Sequence, residues 1–305
     1  MAPFFSIIIP TYNRAHLLPK AIESVVGQSF TDWELIIVDD GSTDNTQETI
    51  SSIEDDRIRY IYQENSERSA ARNNGINNST GKWICFLDSD DYYLKNHLET
   101  FYNAIKLNNL LNAFIVSGTY YENKGQLKEA PKYIINCGQH PARYILETTG
   151  ITPISVCIER DCLKKHCFIE LFKNSYWEDT HLWIRLAIEF PFYQLEENTN
   201  VLTEHAGRSI NVTISPDRVS DHINIIKNLF ENYNELVYTV FTKTDMNLYI
   251  DRKYRMFLYK IRKNKQSGLA LKIWLKAIIH KPSFYLVSEF PKIFVNKLGF
   301  GIHDV

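Results

Sequence analysis

Mostly apolar runs alternate with stretches of helical character along the first 120 residues of the chain. The runs are short and lack polar alternation, which is typical of strands buried on both faces of a parallel sheet. They cover residues 4–9, 33–38, 58–62 and 83–87, and Pro10 is expected to stop the first. The predicted helices cover residues 17–26, 44–53, 69–77 and 95–107, with Asp44 and Gln47 capping the second. This β-α-β-α order predicts a parallel sheet with right-handed crossovers.

Residues 83–91 pass directly from five apolar residues into a cluster of carboxylates. In open α/β sheets ligands bind at the carboxyl ends of the strands, and Asp88 and Asp90 lie two residues apart at such an end. A pair of carboxylates at this spacing suits a hard divalent cation that also holds phosphate oxygens. The alternative is that Asp88 or Asp91 caps the helix that follows.

Three loops are expected to converge on this edge of the sheet. Their polar residues are Thr11, Tyr12, Asn13, Asp39, Asp40 and the segment 88–91. They offer a ring for stacking, carboxylates for a base or ribose, and a metal site for phosphate, which together form a nucleotide pocket. Neither the P-loop pattern nor the dinucleotide-binding glycine pattern occurs in the sequence. Phosphate is therefore expected to be bound by a metal and by cations such as Arg68 or Arg72. Asp40, beside Gly41, is equally compatible with turn chemistry.

The net charge of −2 hides an asymmetry along the chain. Residues 251–305 contain twelve Lys or Arg and three Asp or Glu, which is +9 and leaves −11 for residues 1–250. In the basic tail, apolar residues share a helical face beside a stripe of Lys272, Lys276 and His280. Such a segment suits peripheral contact with an anionic membrane, or packing on the preceding domain. No nucleic-acid partner is expected.

Five cysteines without a Cys-x-x-Cys pair indicate a reducing compartment and no disulfide framework. Cys162, His166 and Cys167 lack a standard zinc spacing, and the two cysteines are interpreted as small buried thiols. Neither a signal peptide nor an apolar run long enough to span a bilayer is recognised. The expected location is cytoplasmic, or peripheral on the inner face of the cytoplasmic membrane.

Four ordered blocks carry a resemblance to a known family. They are Ser6–Arg14 (SIIIPTYNR), Glu34–Asp44 (ELIIVDDGSTD), Ala70–Gly75 (AARNNG) and Phe86–Asp91 (FLDSDD). Together they resemble glycosyltransferase family 2, inverting enzymes of the GT-A fold, in the type that builds bacterial surface polysaccharides. The resemblance covers residues 4 to about 208. It implies a GT-A catalytic domain over 1–213, with a mostly parallel sheet flanked by helices, and a helical, basic region over 214–305.

The resemblance also implies roles for individual residues. Asp90 in the Asp88-Ser89-Asp90 (DXD) motif would bind Mn(II) or Mg(II). The residues expected to bind the nucleotide-sugar are Pro10, Thr11, Tyr12, Asn13, Asp39, Arg72, Asp88 and Ser89. Supporting roles are expected for Asp40, Arg68, Glu178 and Arg208, whereas Asn73 and Asn74 are interpreted as helix-to-turn residues.

A further block, residues 176–187, begins with an aromatic-Glu-Asp sequence and continues as a helix with one apolar face. Glu178 and Asp179 fall in its first turn, where a carboxylate also gains from the helix dipole. The block resembles the family's Glu-Asp motif, whose Asp is the general base, and this is Asp179 here. Capping accounts for one acid at a helix start but not for the aromatic-Glu pair before it.

Two later segments bear on the acceptor and the metal. The chain has Cys167-Phe168-Ile169-Glu170 where family members often carry Gly-x-Phe-Asp, so this loop is expected to be rearranged. Residues 202–209 resemble the closing segment of the family, in which His205 would complete the metal shell and the following loop would cover the diphosphate. A structural role for His205 is the alternative.

The predicted function is therefore inverting, metal-dependent transfer of a sugar, in the hexosyltransferase class. The donor would be a nucleotide-diphospho-sugar, with UDP favoured over GDP on the resemblance alone. The acceptor would be a hydroxyl of a saccharide or lipid-linked saccharide. Two alternatives are a sugar-nucleotide-binding subunit without turnover and a sugar-phosphate nucleotidyltransferase. Glu178 and Asp179 argue against the first, and the Pro-Thr-Tyr-Asn-Arg loop after the first strand argues against the second.

Overall fold

The structure is a computed structural model that describes residues 2–131, 139–148, 150–170, 177–205, 216–263 and 272–275. The chain separates into two compact units. The sheet unit comprises Met1–Lys173 and Glu178–Ser209, and the helical unit comprises Asn174–Trp177 and Ile210–Val305. The boundary proposed at residues 213 and 214 lies outside the described residues, as does most of the basic tail.

Nine strands in the described residues form one sheet in the sheet unit. They are β1 (Phe5–Thr11), β2 (Trp33–Asp39), β3 (Ile58–Tyr62), β4 (Trp83–Phe86), β5 (Tyr92–Tyr93), β6 (Phe114–Asn123), β7 (Gln126–Glu129), β8 (Val156–Glu159) and β9 (Phe192–Thr203). The order is β3-β2-β1-β4-β8-β6-β9-β5, with β7 paired to β6. The first four strands pair in parallel, as predicted. Beyond β4 the sheet is mixed, because β8 runs antiparallel to both β4 and β6.

Seven α-helices of the sheet unit lie within the described residues. They are α1 (Leu18–Val26), α2 (Thr46–Ser51), α3 (Glu67–Asn78), α4 (His97–Leu107), α5 (Pro141–Thr148), α6 (Arg160–Lys165) and α7 (Glu178–Glu189). The helical unit contains α8 (Pro216–Asn232), α9 (Asn234–Val237) and α10 (Lys243–Lys263). A break at Tyr233 separates α8 from α9.

The central strand β1 is buried on both faces. Phe5, Ile7 and Ile9 join the main hydrophobic core with α1 and α4. Ile8 points to the opposite face, where α3 approaches so closely that a Cβ added to Gly75 would lie 2.4 Å from the Ile8 Cγ2 atom. A side chain at position 75 would therefore push α3 away from the sheet. This close packing places Arg72 of the same helix beside the carboxyl ends of the strands.

Two local predictions differ from the structure. Strand β1 continues through Pro10 to Thr11, because β4 pairs with β1 only as far as Ile8 and the missing Pro10 N–H faces no strand partner. Asp44 caps α2 through Thr46 rather than through Gln47: its Oδ1 accepts from the Thr46 N–H at 3.1 Å and from the Thr46 hydroxyl at 2.5 Å.

The helical unit has a hydrophobic cluster of its own. Val219 and Ile223 of α8 pack with Ile250, Tyr254 and Leu258 of α10. Burial of these residues stabilises the pairing of the two helices. In the described part of the chain, no helix is both long and apolar enough to span a lipid bilayer.

Candidate active site

Backbone and side-chain hydrogen bonds join the loops after β1 and β2. The Thr11 carbonyl accepts a hydrogen bond from the Asp40 N–H, with an O···N distance of 2.9 Å. Asn13, in a left-handed backbone conformation with φ of 52°, accepts through Oδ1 from the Thr43 N–H at 2.7 Å. Tyr12 between them remains 48% exposed, so its ring is available for stacking on a base. The structure thus brings these two predicted loops together at one edge of the sheet.

Asp39 is buried, and both of its carboxylate oxygens are engaged. Oδ1 accepts from the Ser42 N–H at 2.9 Å, and Oδ2 accepts from the Tyr60 hydroxyl at 2.8 Å. Burial, and next the hydrogen bond to Asp39, raise the pKa of Tyr60, so the phenol keeps its proton and remains a donor. Each carboxylate oxygen has a second lone pair. Asp39 is therefore oriented by its neighbours and can still accept one more hydrogen bond.

Asp40 structures the adjoining loops. Its Oδ1 accepts from the Gln63 amide at 2.7 Å and from the Ser66 N–H at 2.8 Å. Gly41 follows with φ of 83°, and a Cβ there would lie 2.9 Å from the Asn65 nitrogen. The hydrogen bonds of Asp40 therefore stabilise these turns, as expected for a turn residue.

Arg72 links three elements of the site. Its buried guanidinium donates to Asp88 Oδ1 and to Glu178 Oε1, each at 2.9 Å. Arg68, one helical turn earlier, has its Nε 4.0 Å from the same Glu178 oxygen. Burial opposes the positive charge of Arg72, but Asp88 and Glu178 outweigh it and raise its pKa. Arg72 therefore stays charged and holds the loop after β4 to the first turn of α7.

Asp179 is the carboxylate beside this ion pair. Its Oδ1 accepts from the Thr180 N–H at 2.6 Å. Burial, and next the negative charge of Glu178, raise its pKa to about 7, while Arg72 opposes the shift. A carboxylate with this pKa is matched to proton transfer near neutral pH, as a general base requires.

The loop after β4 gathers three carboxylates. One ligand oxygen from each of Asp88, Asp90 and Asp91 lies within 4.8 Å of the others. Asp91 is buried and accepts from the Thr203 N–H at 2.8 Å, so one of its oxygens holds β9 in place. Asp88 and Asp90 are only partly buried. Their hard oxygen donors fit Mg(II) or Mn(II) better than a soft metal.

His205 lies beside this cluster. Its Nε2 is 2.9 Å from Asp90 Oδ2. The neighbouring Glu204 N–H donates to the Glu122 carbonyl at 2.9 Å, which ties the chain beyond β9 to β6. His205 is thus close enough to share a cation with Asp90. Two further residues of the predicted pocket lie at the same strand ends: Ser89 is buried and Pro10 is partly buried. Arg208 lies outside the described residues.

Asn73 and Asn74 are in the interior of α3, so their interpretation as helix-to-turn residues is wrong. Asn73 Nδ2 donates to the Phe168 carbonyl at 2.9 Å and to Glu170 Oε1 at 2.6 Å, and Asn73 Oδ1 accepts from the Phe168 N–H at 3.0 Å. The Arg72 guanidinium lies 5.3 Å from the Phe168 ring centroid. The segment that departs from the family pattern is therefore fixed to α3. In the sequence, the two consecutive asparagines at positions 73 and 74 were the feature that could have pointed to this hydrogen-bonding role.

Comparisons with known proteins agree with this geometry. The family model "Glycosyl transferase family 2" matches residues 6–162. An uncharacterized glycosyltransferase of Rickettsia felis is 31% identical over 87% of this chain, which spans only 43% of the length of that relative. The UDP-Glc:alpha-D-GlcNAc-diphosphoundecaprenol beta-1,3-glucosyltransferase WfgD of Escherichia coli is 31% identical over 59% of this chain and 68% of its own.

A search by fold finds Staphylococcus aureus TarS 1–349 in complex with UDP, with a TM-score of 0.67 and 16% identity. The alignment covers 100% of this chain and 94% of that one. At this identity the likeness concerns the fold alone, which is GT-A. The family match spans more than half of the 305 residues, and it includes the Arg72 and Asp88–Asp91 part of the site. The chain belongs to glycosyltransferase family 2.

Proposed function

We propose that the protein is an inverting, metal-dependent glycosyltransferase that moves a sugar from a UDP-sugar to a hydroxyl of a lipid-linked saccharide. The observation that carries the proposal is the Arg72 bridge between Asp88 and Glu178. It joins the carboxylate loop expected to hold the diphosphate to the helix that carries the expected base. A transferase needs both groups at one sugar, whereas a binding subunit needs only the first.

The nucleotide would lie against the loops after β1 and β2. The exposed ring of Tyr12 would stack on the base, and the remaining lone pairs of Asp39 would accept a base N–H. Support for UDP comes from the name of WfgD, which acts with UDP-Glc, and from the complex of TarS with UDP. Arg72 and Arg68 add positive charge on the side of Glu178.

Asp88 and Asp90, with His205, are the residues that would hold the cation. When bound, Mn(II) or Mg(II) supplies positive charge that stabilises the departing nucleotide diphosphate. Asp91 has a different task, because its oxygen is used by the Thr203 N–H and it fixes the loop to β9. Asp88 and Asp90 are only partly buried, so ligand oxygens on both remain accessible.

Asp179 would accept the proton of the acceptor hydroxyl. That hydroxyl would then attack the anomeric carbon from the face opposite the nucleotide, which inverts its configuration. The base must lie within about 2.6–3.2 Å of the hydroxyl. Arg72 and the Thr180 N–H fix the first turn of α7 and the orientation of the carboxylate.

The acceptor is proposed from the relatives. WfgD acts on a diphosphoundecaprenol-linked sugar, and WcaA of Escherichia coli, 28% identical over 88% of this chain, carries the name of a colanic acid biosynthesis glycosyl transferase. A lipid-linked acceptor places the reaction at a membrane surface, which gives the basic tail a use. Surface polysaccharide synthesis at the inner face of the cytoplasmic membrane is the corresponding role.

A two-step assay tests the proposal. UDP- and GDP-sugars are first screened for release of nucleotide with Mn(II), and the donor that reacts is then offered to an undecaprenyl-diphosphate-linked saccharide. The Asp179→Asn variant should bind the donor but transfer about 10²–10⁴ times more slowly, since it cannot take the proton. Asp55→Asn is the matched control, because Asp55 pairs with Arg57 far from α7 in sequence and belongs to no site loop. Normal transfer by Asp179→Asn would contradict the assignment of the base.

A further inference from the structure

His205 and Asp90 come from different segments of the sheet unit, yet their side chains meet. Asp90 lies on the loop after β4, whereas His205 lies two residues beyond the end of β9 at Thr203. The His205 Nε2 and Asp90 Oδ2 atoms are 2.9 Å apart. Two side chains can share a cation only if the segments that carry them are held at the right spacing. The contacts that hold these two segments together therefore bear on the affinity for a metal.

Two hydrogen bonds fix the end of β9 from both sides. The Thr203 N–H donates to Asp91 Oδ1 at 2.8 Å, which joins this strand to the carboxylate loop. The Glu204 N–H donates to the Glu122 carbonyl at 2.9 Å, which joins it to β6. Strand β5 directly follows the carboxylate loop, has two residues and lies at the edge of the sheet, where it pairs with β9. Because so short a strand makes few hydrogen bonds with its neighbour, further contacts are needed to hold it in place.

The Glu122 side chain supplies such a contact across the end of β9. Glu122 of β6 is paired with Thr203, and Tyr92 of β5 is paired with Val201. Thr203 and Val201 lie two residues apart in one strand and share a face, so their partners Glu122 and Tyr92 stand on that same face of the sheet. A side-chain hydrogen bond joins Tyr92 to Glu122. It therefore ties β5 to β6 over the strand that lies between them.

Lys20 of α1 completes this contact. Its Nζ lies 2.9 Å from Glu122 Oε2 and 3.9 Å from the centroid of the Tyr92 ring. The Glu122 side chain is 19% exposed and that of Lys20 is 55% exposed. An ion pair with a half-exposed lysine contributes little, whereas a hydrogen bond from a phenol to a carboxylate is one of the stronger kinds. We name Glu122, Tyr92 and Lys20 the Glu122 strap.

We propose that Glu122 is a positioning residue for the cation: the Glu122 strap ties β6 to β5 across β9 and so keeps His205 at the right distance from Asp90. The inference rests on the proposed function, in which these two residues hold Mn(II) or Mg(II). Within the described residues, the carboxylates close enough to share an ion are Asp88, Asp90 and Asp91, and Glu122 is not among them. Its effect on the metal is therefore indirect. Removal of a group that orients metal ligands typically changes the metal affinity by about 10- to 100-fold.

A manganese titration tests the proposal without turnover. Mn(II) is added to the protein alone and with UDP, and the free ion is followed by electron paramagnetic resonance. Tyr92→Phe removes one hydroxyl and no charge, and should weaken Mn(II) binding by about 10-fold. Glu122→Ala should weaken it at least as much, whereas Glu122→Gln, which can still accept from Tyr92, should keep the affinity within about threefold. Glu129→Ala, which removes an exposed carboxylate of the neighbouring strand β7, is the matched control and should keep the wild-type affinity.

An effect of charge alone makes different predictions. If Glu122 acted only by attracting the cation, Glu122→Gln and Glu122→Ala would weaken binding equally, and Tyr92→Phe would have no effect. Lys20→Met would then strengthen binding, because it removes a positive charge. The strap predicts instead that Lys20→Met weakens binding, by less than Tyr92→Phe because Lys20 is half exposed. Wild-type affinity in Tyr92→Phe, or tighter binding in Lys20→Met, would overturn the proposal.

Hydrogen exchange separates this inference from the proposed function, because it needs neither metal nor turnover. The amides of residues 203–205 should exchange faster in Tyr92→Phe than in the wild type, and should be unchanged in Glu129→Ala. If the wild type binds no Mn(II) but the exchange result holds, the metal site is wrong and the anchoring of β9 stands. If exchange is unchanged in Tyr92→Phe, the anchoring is wrong whatever the metal affinity.

Discussion

Replacing Asp179 with Asn should make the protein more stable as well as inactive, and the gain should grow with pH. The folded chain holds a proton on Asp179 up to about pH 7, whereas the ordinary pKa of the side chain is 3.8. A group whose pKa is raised by folding contributes stability that is complete below its unfolded pKa and is lost as the pH rises through its folded pKa. Asn is neutral at every pH and can accept the hydrogen bond from the Thr180 N–H as Asp does. The variant therefore avoids the loss of stability that ionisation of Asp179 causes.

The magnitude follows from the pKa difference. About three pKa units, at about 1.4 kcal/mol each, correspond to about 4 kcal/mol above pH 7. Some of this is already lost at pH 5, so between pH 5 and pH 8 the stability gap between the two proteins should widen by about 2–3 kcal/mol. For a unit of this size the gap corresponds to about 5–10 °C in melting temperature. The wild type would thus sacrifice stability to keep a base that ionises near neutral pH.

Thermal melting of both proteins at several values between about pH 5 and pH 8 measures the gap. Asp55→Asn is the control with the opposite sign, because the hydrogen bonds from Arg57 lower the pKa of Asp55. Its stabilising effect is complete above its unfolded pKa, so Asp55→Asn should lower the melting temperature by the same amount at every pH in this window. A gap for Asp179→Asn that stays flat from pH 5 to pH 8 would refute the reasoning, since the proton would then reside on another group.

Three further outcomes are expected. Excess chelator, or Asp90→Asn at ordinary metal concentrations, should abolish transfer, measured as release of nucleotide; full turnover in chelator would contradict the metal site. Arg72→Lys should slow transfer by about 10-fold or more, because one ammonium cannot bridge Asp88 and Glu178 as the guanidinium does, and calorimetric titration should show weaker UDP binding. The full chain should float with anionic liposomes at low salt while a chain ending at residue 268 stays in solution; equal binding of both would argue against a role for the tail.

The parallel half of the sheet could be predicted because its signal is local. Strands β1, β2 and β4 are mostly apolar runs with a turn residue or carboxylate after each, and a strand buried on both faces requires that composition. Strands β5 and β9 carry no such signal. β9 is a 12-residue strand whose first half is largely exposed and polar, and β5 has two residues. Their pairing is decided by tertiary contacts, which periodicity does not encode.

The candidate site was predictable in part for the same reason. Strand-end residues such as Asp39, Asp88 and Asp90 lie where topology must place them. The partners that decide their roles are distant in sequence: Arg72 and Glu178 are 106 residues apart, and Asp40 is engaged by Gln63 and Ser66. A sequence pattern indicates that a carboxylate lies at the carboxyl edge of the sheet. It does not indicate which of the carboxylate oxygens already accepts a hydrogen bond within the protein. Two carboxylates of the same loop therefore differ, since Asp91 holds β9 and Asp90 faces His205.

The charge balance around Arg72 connects the base to the donor. The Arg72 guanidinium faces Asp88, Glu178 and Asp179, and Arg68 lies 4.0 Å from Glu178. Burial, and next the negative charge of Glu178, raise the pKa of Asp179 and keep it protonated at mildly acidic pH. On the proposed function, Asp88 and Asp90 would hold a divalent cation. Positive charge there would offset Asp88 in its effect on Asp179 and lower the pKa of the base. Asp179 would then ionise more readily with the cation bound than in the empty site, where an ionised base has no acceptor to serve.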